Sequence, residues 1–267
     1  MSFNGSGAEL VDTHVHLLSR QFSRDRGEAI ERAFQAGNRF LIEVATDLPT
    51  SERAVKLAHK FEGIYAAVGV HPHDALTVDD GVLEKLEKLA SEPRVVAIGE
   101  TGLDFYRDLA PRDVQKRVFA EQIALAKRKG LPLIIHVRNA YQEALDIIEK
   151  ERGSEAGGVL HCFSGDSASA ARAIRLGFSL GFGGTITYQG SGSSRLVSTL
   201  PLNSVVLETD CPYLSPEPYR QKRNEPAYVS LVLDCVAKLR NLPREKVDEL
   251  TTFNAYGLFR ITESRAR

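Results

Sequence analysis

The chain has 267 residues, of which 43% are hydrophobic and 26% charged, and its formal net charge is −1. This composition is typical of a globular protein with a sizeable core, and the near-neutral charge argues against a broadly basic surface that grips long duplex DNA. No apolar stretch is long enough for a transmembrane helix, and the first residues lack the features of a secretory signal, so we expect no membrane association. The three cysteines, Cys162, Cys211 and Cys235, follow no spacing pattern, which favours reduced thiols in a cytoplasmic protein.

The chain shows no long linker, low-complexity block or strong internal repeat. We therefore expect residues 1–8 to be a flexible lead and residues 9–267 to form one domain, because α/β barrels commonly reach this length as a single unit. We expect that domain to be a monomer.

Short apolar runs alternate with helical patterns along the chain. The runs are ELVDTH, RFLIEVAT, GIYAAVGVH, RVVAIGE, LPLIIH, GGVLH, GFSLGFGGT and SVVLETD. They are rich in Val, Ile and Leu and show little polar alternation, which is typical of strands buried on both faces of a parallel sheet.

Three of the stretches between or after these runs carry an apolar stripe at helical spacing. The stripes are Val82, Leu83, Leu86 and Leu89; Val114, Val118, Phe119 and Ile123; and Val229, Val232, Leu233, Val236 and Leu239. Eight strands alternating with helices predict an α/β fold, a closed TIM-type (β/α)8 barrel. A doubly wound open sheet is the alternative, but no G-x-G-x-x-G follows the first strand.

Side chains of metal-binding type follow five of the eight apolar runs. They are His14 and His16 after the first run, Glu100 after the fourth, His136 after the fifth, His161 after the sixth and Asp210 after the eighth. In a barrel, the carboxyl ends of all strands meet at one rim, where active sites form. Each residue alone could be an ordinary polar residue at a strand end, but together they predict a metal site.

Six ligands are more than one catalytic ion needs, since a single catalytic zinc typically takes three. We assign His14, His16 and Asp210 to a first ion, and His136 and His161 to a second. Glu100 is the predicted bridge, because each of its oxygens can bind one ion. Mixed imidazole and carboxylate ligation suits Zn²⁺, Mn²⁺ or Mg²⁺.

Two neighbouring ions can activate water for hydrolysis, and Asp210 could accept its proton. Asp210 and Glu100 are therefore the predicted catalytic residues. Strand alternation predicts that the sulfurs of Cys162 and Cys211 point away from the ions.

An ordered set of motifs resembles the TatD family of metal-dependent deoxyribonucleases, within the wider amidohydrolase group of barrels. The motifs are DTHVHL, GVHPH, GETGLDFYR, FAEQIALA, LPLIIHVRNA, HCFSG, LETDCPYLSP and KRNEP. The resemblance runs from about residue 10 to residue 260. It implies a barrel, two divalent metals and hydrolysis of DNA phosphodiester bonds, with the metals on the same six residues.

The sequence departs from the family pattern in two places. Val15 stands where the family usually has the cysteine of D-T-H-C-H. The stretch GTITYQGSGSSRL carries a run of glycine and serine where the family usually begins a helix, so we expect a rim loop of different shape.

Four further residues are candidates for substrate binding: His71, Arg138, Arg223 and Tyr213. His71 could contact a phosphate or a metal-bound water, or it could stabilise its loop. The two arginines could bind phosphate in a bidentate fork or form salt bridges. Tyr213 could stack on a base or pack under its loop.

Structural roles are favoured for four other polar residues. His73 is expected to stabilise its loop, Glu225 to orient Arg223, Asp104 to support a ligand or form a turn, and His59 to be solvated on a helix.

Three functions remain open. The first is a nuclease acting near DNA ends or on single strands, with exonucleolytic cleavage as the expectation. The second is a hydrolase of another ester or amide bond, such as a deacylase, because fold does not fix substrate. The third is a non-enzymatic binding protein, which the presence of all six ligands argues against. Basic residues near the predicted rim favour the nuclease: Arg107, Arg138, Arg220, Lys222 and Arg223.

Overall fold

A computed structural model describes residues 9–262 of the chain. The predicted lead at residues 1–8 lies outside the described residues. No helix that residues 9–262 form is long and apolar enough to cross a membrane.

Eight parallel strands form one sheet, and each strand pairs with the next in chain order. The strands are β1 (Leu10–Val15), β2 (Asn38–Val44), β3 (Ile64–Val68), β4 (Val95–Asp104), β5 (Leu133–Arg138), β6 (Gly158–Leu160), β7 (Phe178–Phe182) and β8 (Val205–Leu207). Every apolar run thus contributes one strand, and the predicted TIM-type barrel is confirmed.

Helices connect the strands and cover the outside of the sheet. They are α1 (Arg26–Gln35), α2 (Leu48–Lys60), α3 (Asp80–Leu89), α4 (Arg112–Lys129), α5 (Tyr141–Lys150), α6 (Ser167–Arg175), α7 (Gly192–Val197), α8 (Val229–Arg240) and α9 (Arg244–Phe259). The three predicted stripes fall in α3, α4 and α8. The final helix, α9, was not predicted.

Local sequence signals account for several helix ends. Asp47, Asp79 and Asp166 precede α2, α3 and α6, and each carboxylate accepts a backbone N–H of the first turn. Gly130 and Asn241 end α4 and α8 in the left-handed conformation, which these two residue types adopt at low cost.

Two apolar clusters lie on the two faces of the sheet. Alternate strand residues such as Leu41 and Ile135 belong to the large cluster between the strands and the surrounding helices. Their neighbours Ile42 and Ile134 belong to a smaller cluster, to which α9 adds Ala255 and Phe259. The smaller cluster therefore fills the barrel interior, and α9 packs against it away from the polar rim.

The seam between β1 and β8 closes the barrel with few contacts. Val15 and Cys211 form an isolated parallel bridge, and the N–H of Asp210 donates to the carbonyl of His14 at 2.9 Å. The Asp12 carboxylate accepts from the N–H and the hydroxyl of Thr209 at 2.9 and 2.6 Å. Side-chain hydrogen bonds thus add to the small number of backbone hydrogen bonds that join β1 to β8.

Glu100 does not end its strand as predicted. It lies inside β4, which continues to Asp104 because residues after Glu100 still pair with β5. The register shifts between Ile98 and Thr101, on either side of Glu100. Such irregularities often re-aim a side chain next to a functional site.

Candidate metal centre

A cavity of about 830 Å³ opens at the carboxyl ends of the strands. Five of the six predicted ligands line it, namely His16, Glu100, His136, His161 and Asp210. The sixth, His14, is fully buried beneath them. The barrel therefore brings all six residues together from five different strands or strand ends.

The first group of donors spans the β1–β8 seam. The Nε2 atoms of His14 and His16 lie 3.1 Å apart, and they lie 3.8 and 3.4 Å from Asp210 Oδ1. The spacing of two residues along β1 thus turns both imidazoles toward one point.

The second group forms where β4, β5 and β6 end. Glu100 Oε1 lies 2.9 Å from His161 Nε2 and 3.0 Å from His136 Nδ1. These two ring nitrogens are 3.3 Å apart.

Glu100 stands between the two groups. Its Oε1 faces His136 and His161, whereas its Oε2 lies 3.6 and 3.7 Å from the Nε2 atoms of His14 and His16. Tetrahedral bonds of about 2.0–2.1 Å place neighbouring ligand atoms about 3.3 Å apart, so both donor groups fit a metal ion.

Outer hydrogen bonds orient two of the four histidines. His16 Nδ1 lies 2.9 Å from the carbonyl of Val44, and His136 Nε2 lies 3.2 Å from Asp104 Oδ2. His161 Nδ1 has no hydrogen-bond partner among residues 9–262, and Glu208 Oε1 lies 3.6 Å from it. Carbonyl or carboxylate partners of this kind fix the tautomer of a metal-binding histidine.

Charge in the site is strongly coupled. Burial opposes ionisation of Glu100, but the surrounding histidines, His161 first, hold its pKa well below the usual value. Burial would lower the pKa of His16, but Asp210 and Glu100 outweigh it and raise the pKa to about 9. The carboxylates are therefore ionised and ready to bind a cation.

The model of the TatD related DNase family matches residues 11–260, almost the whole chain. The chain belongs to the TatD family. It is 41% identical over 253 residues to a protein of Bacillus subtilis named "Uncharacterized metal-dependent hydrolase YabD", covering 94% of this chain and 99% of that protein. It is 36% identical over 258 residues to the "3'-5' ssDNA/RNA exonuclease TatD" of Klebsiella pneumoniae, covering 94% and 98%.

A solved structure shares both fold and sequence. The TatD homologue YJJV of Escherichia coli superimposes with a TM-score of 0.90 at 34% identity, over 95% of this chain and 98% of that one. The chain is thus a TatD-family metal-dependent hydrolase with several residue clusters able to hold metal.

Two buried carboxylates beside the centre of this TatD-family chain were missed in the sequence. Glu43 accepts the backbone N–H groups of Leu17 and Leu18 at 2.7 and 3.1 Å, which anchors the chain just after His16. Glu208 accepts the N–H of Cys162 at 2.5 Å. Its carboxylate packs directly against the backbone of Gly181, where any side chain would clash with it. The sequence offered a signal for each: Glu43 is a charged residue inside an apolar run, and Glu208 is a carboxylate two residues before Asp210.

The reason given for Cys162 does not hold, although its Sγ belongs to none of the possible metal clusters among residues 9–262. Cys162 lines the cavity, because β6 already ends at Leu160 and strand alternation no longer governs the residue after His161. Cys162 has a positive φ of 46°. Cys211, by contrast, is fully buried in the apolar core, as is Val15.

Arg138 and Arg107 both line the cavity, and neither forms an ion pair with a residue in the range 9–262. The Arg138 guanidinium stacks over the Tyr106 ring, 3.9 Å from its centroid. Tyr213 also lines the cavity, and its half-exposed ring lies edge-on to His16 at 6.0 Å. These side chains are available to a ligand.

The structure does not support phosphate binding by Arg223. Its guanidinium donates to both oxygens of Asp25 at 2.6 and 2.7 Å and to Glu225 Oε1 at 2.6 Å. It is absent from the cavity lining. Arg223 therefore holds the loop after β8 against the start of α1, and Glu225 orients it as expected.

The remaining sequence candidates have structural contacts. Asp104 accepts the N–H groups of Tyr106 and Arg107 with one oxygen, and faces His73 and His136 with the other. It therefore forms a turn and also supports a ligand. His59 is exposed on α2 and contacts Glu92.

The rim loop that departs from the family pattern forms a short 3-10 turn at Gly184–Thr187 and then α7. Thr185 and Ser193 from this stretch line the cavity. This difference from the family pattern therefore reaches the wall of the candidate site.

Proposed function

We propose that this chain is a metal-dependent nuclease that hydrolyses phosphodiester bonds at the ends of DNA or in single strands. One observation carries the choice of substrate: Arg107 and Arg138, free of ion pairs with residues 9–262, line the cavity that holds the metal donors. Two cationic groups beside the reacting centre suit a phosphate diester and would gain little from a neutral amide.

We propose two divalent ions, with His14, His16 and Asp210 on one, His136 and His161 on the other, and Glu100 between them. The separate orientation of the two Glu100 oxygens supports this division. The excess of imidazole favours Zn²⁺ or Mn²⁺ over Mg²⁺. Bound ions would supply a water of lowered pKa and would neutralise charge on the phosphate.

The side chains would divide the remaining work. Asp210 is the proposed proton acceptor, because its carboxylate lies in the first donor group and is ionised: burial opposes its ionisation, but His16 holds its pKa below the usual value. Arg138 and His71 would bind phosphate oxygens from the cavity wall. Tyr213 would stack on the terminal base, since its exposed ring stands at the same opening.

The test is cleavage of end-labelled single-stranded and duplex oligonucleotides after metal removal and separate addition of Zn²⁺, Mn²⁺ or Mg²⁺. The name of the Klebsiella relative makes 3′ ends, in DNA and in RNA, the first substrates to compare. Release of mononucleotides from single strands is the expected result. Hydrolysis of ester or amide substrates without any cleavage of nucleic acid would replace this proposal with a deacylase.

A further inference from the structure

Each histidine of the site has an inner ring nitrogen, which faces the cavity, and an outer one, which faces the surrounding protein. The hydrogen-bond partner of the outer nitrogen determines whether the inner nitrogen carries a hydrogen or a lone pair. A neutral imidazole has one N–H and one nitrogen lone pair, and only the lone pair binds a metal. When the outer nitrogen faces an acceptor, it carries the hydrogen and the inner nitrogen is free to be a ligand. When the outer nitrogen faces a donor, the inner nitrogen must carry the hydrogen.

Two histidines of the centre have acceptors outside. The outer nitrogens of His16 and His136 face oxygen atoms of Val44 and Asp104, respectively. A carbonyl or an ionised carboxylate accepts hydrogen bonds and cannot donate them. These two rings therefore present lone pairs to the cavity.

His71 has the opposite arrangement. Its Nδ1 accepts the backbone N–H of His73 at 3.1 Å, and its Nε2 points inward, 3.5 Å from Glu100 Oε1. A backbone amide is always a donor, so Nδ1 must hold the lone pair and Nε2 the hydrogen. By position alone, His71 belongs to a possible metal cluster with Glu100 and His136, but its tautomer is wrong for a ligand.

The backbone around His71 keeps this tautomer in place. The N–H of His71 donates to the carbonyl of Thr46 at 2.8 Å, and its own carbonyl accepts from Asp74 at 2.9 Å. His73 lies in the 3-10 turn Pro72–Thr77, which follows directly. Turning the ring so that Nδ1 faces the cavity would leave the partly buried N–H of His73 without its acceptor.

We propose that His71 is not a metal ligand but a neutral hydrogen-bond donor, and that its Nε2–H binds a phosphoryl oxygen of the substrate. This role rests on the proposed nuclease function only for the identity of the acceptor. The buried ring lines the cavity beside Glu100, so a phosphate held between Arg138 and the metal donors lies within its reach.

Metal content separates a donor from a ligand. We would measure tightly bound ions per chain in His71→Leu, His71→Gln and the control His161→Leu, each loaded with Zn²⁺ and dialysed. His71→Leu and His71→Gln should retain the wild-type number, whereas His161→Leu should lose one ion. Loss of an ion from His71→Leu at the level of His161→Leu would overturn the proposal.

Kinetics on a single-stranded oligonucleotide test the acceptor. Loss of a hydrogen bond to a charged group should lower kcat/KM of His71→Leu roughly tenfold or more. His71→Gln, whose amide can donate from a similar position, should recover most of that loss. Equal kcat/KM for both variants, with full metal content, would reject the donor role.

Ring ¹⁵N spectra of wild-type protein decide the tautomer without any variant or substrate. They should show His71 with the hydrogen on Nε2, and a hydrogen on Nδ1 would refute the assignment. If the wild-type enzyme proved inactive on nucleic acid, the spectra and the ion counts would still decide the role of His71, so the two failures are distinguishable.

Discussion

The two oxygens of Glu100 face two different groups of donors. Glu100→Ala should therefore lose more metal than any single histidine variant, because both ions lose a ligand at once. Metal analysis of Glu100→Ala beside His14→Ala and His136→Ala provides the comparison. Two ions per chain in Glu100→Ala would show that the carboxylate does not bridge.

Asp210 is predicted to bind metal and to accept a proton. Asp210→Asn keeps the size and one oxygen donor, but its amide is a far poorer base. We expect metal and substrate binding to persist while turnover falls roughly 100-fold or more, the scale of lost general-base help. Single-turnover kinetics with parallel metal analysis would measure both. Near-native turnover at full occupancy would remove Asp210 from proton transfer.

The contacts of two arginines predict opposite kinetic effects. Arg138→Ala should raise KM for an oligonucleotide roughly tenfold or more, because the substrate phosphate would lose the guanidinium that binds it. Arg223→Ala is the matched control, since its donors are already satisfied by Asp25 and Glu225. Steady-state KM values for both variants test the pair, and a larger rise in Arg223→Ala would contradict it.

At the residue scale, the sequence predicted which side chains converge but not how each one is engaged. The presence of histidines and carboxylates after apolar runs was enough to predict that His14 and Asp210 lie close together. The pairing of Arg223 with Asp25 joins residues 198 apart in the chain, so no local pattern could reveal it. The tautomer of His71 depends on the hydrogen bond from the backbone N–H of His73, and the residue types in the sequence do not reveal that bond.

At the element scale, the loop after β8 is held to the start of α1 by Arg223 and Asp25. Pairing with Arg223 lowers the pKa of Asp25 from 3.8 to about 2. A carboxylate with a depressed pKa stabilises the fold above its unfolded value, and this stabilisation is lost as pH falls through the folded value.

Arg223→Ala should therefore lower the free energy of unfolding at neutral pH, modestly because the pair is partly exposed. The difference from wild type should shrink as pH falls from about 4 toward 2. Urea unfolding at several pH values measures it, with Arg117→Ala, at an exposed ion pair on α4, as the control. A difference that grows on acidification would contradict the assigned pair.

The predicted elements differ in how clearly the sequence marks them. Strands buried on both faces and helices with one apolar stripe follow directly from periodicity. Helix α9 was missed because its buried face includes Asp248, Thr251 and Thr252, which blur the stripe. The extension of β4 beyond Glu100 was missed because its pairing depends on β5, a distant segment of the chain.

At the scale of the whole molecule, the barrel has an apolar core that does not depend on the centre. Chelation should abolish hydrolysis while the far-ultraviolet circular dichroism stays native, unlike the unfolding of a small zinc-dependent domain. Re-addition of metal should restore activity without a refolding step. A cooperative loss of helix on adding chelator would show that the ions hold the fold together.

The position of the metal donors on both sides of the β1–β8 seam couples metal binding to closure of the barrel. His14 and His16 stand on one side of this joint and Asp210 on the other, so any ion they share ties the beginning of the domain to a segment almost 200 residues later. Ion binding then favours the closed barrel by mass action, by about 2.7 kcal/mol when the free ion is at 100 times its Kd. The ligand bonds thus add to the sparse backbone pairing at this joint. Affinity for the ion and closure of the cylinder are thermodynamically linked, so a substitution that opens the joint in part of the molecules, even one distant from the cavity, should raise the apparent Kd for the ion by the factor by which it reduces the closed fraction.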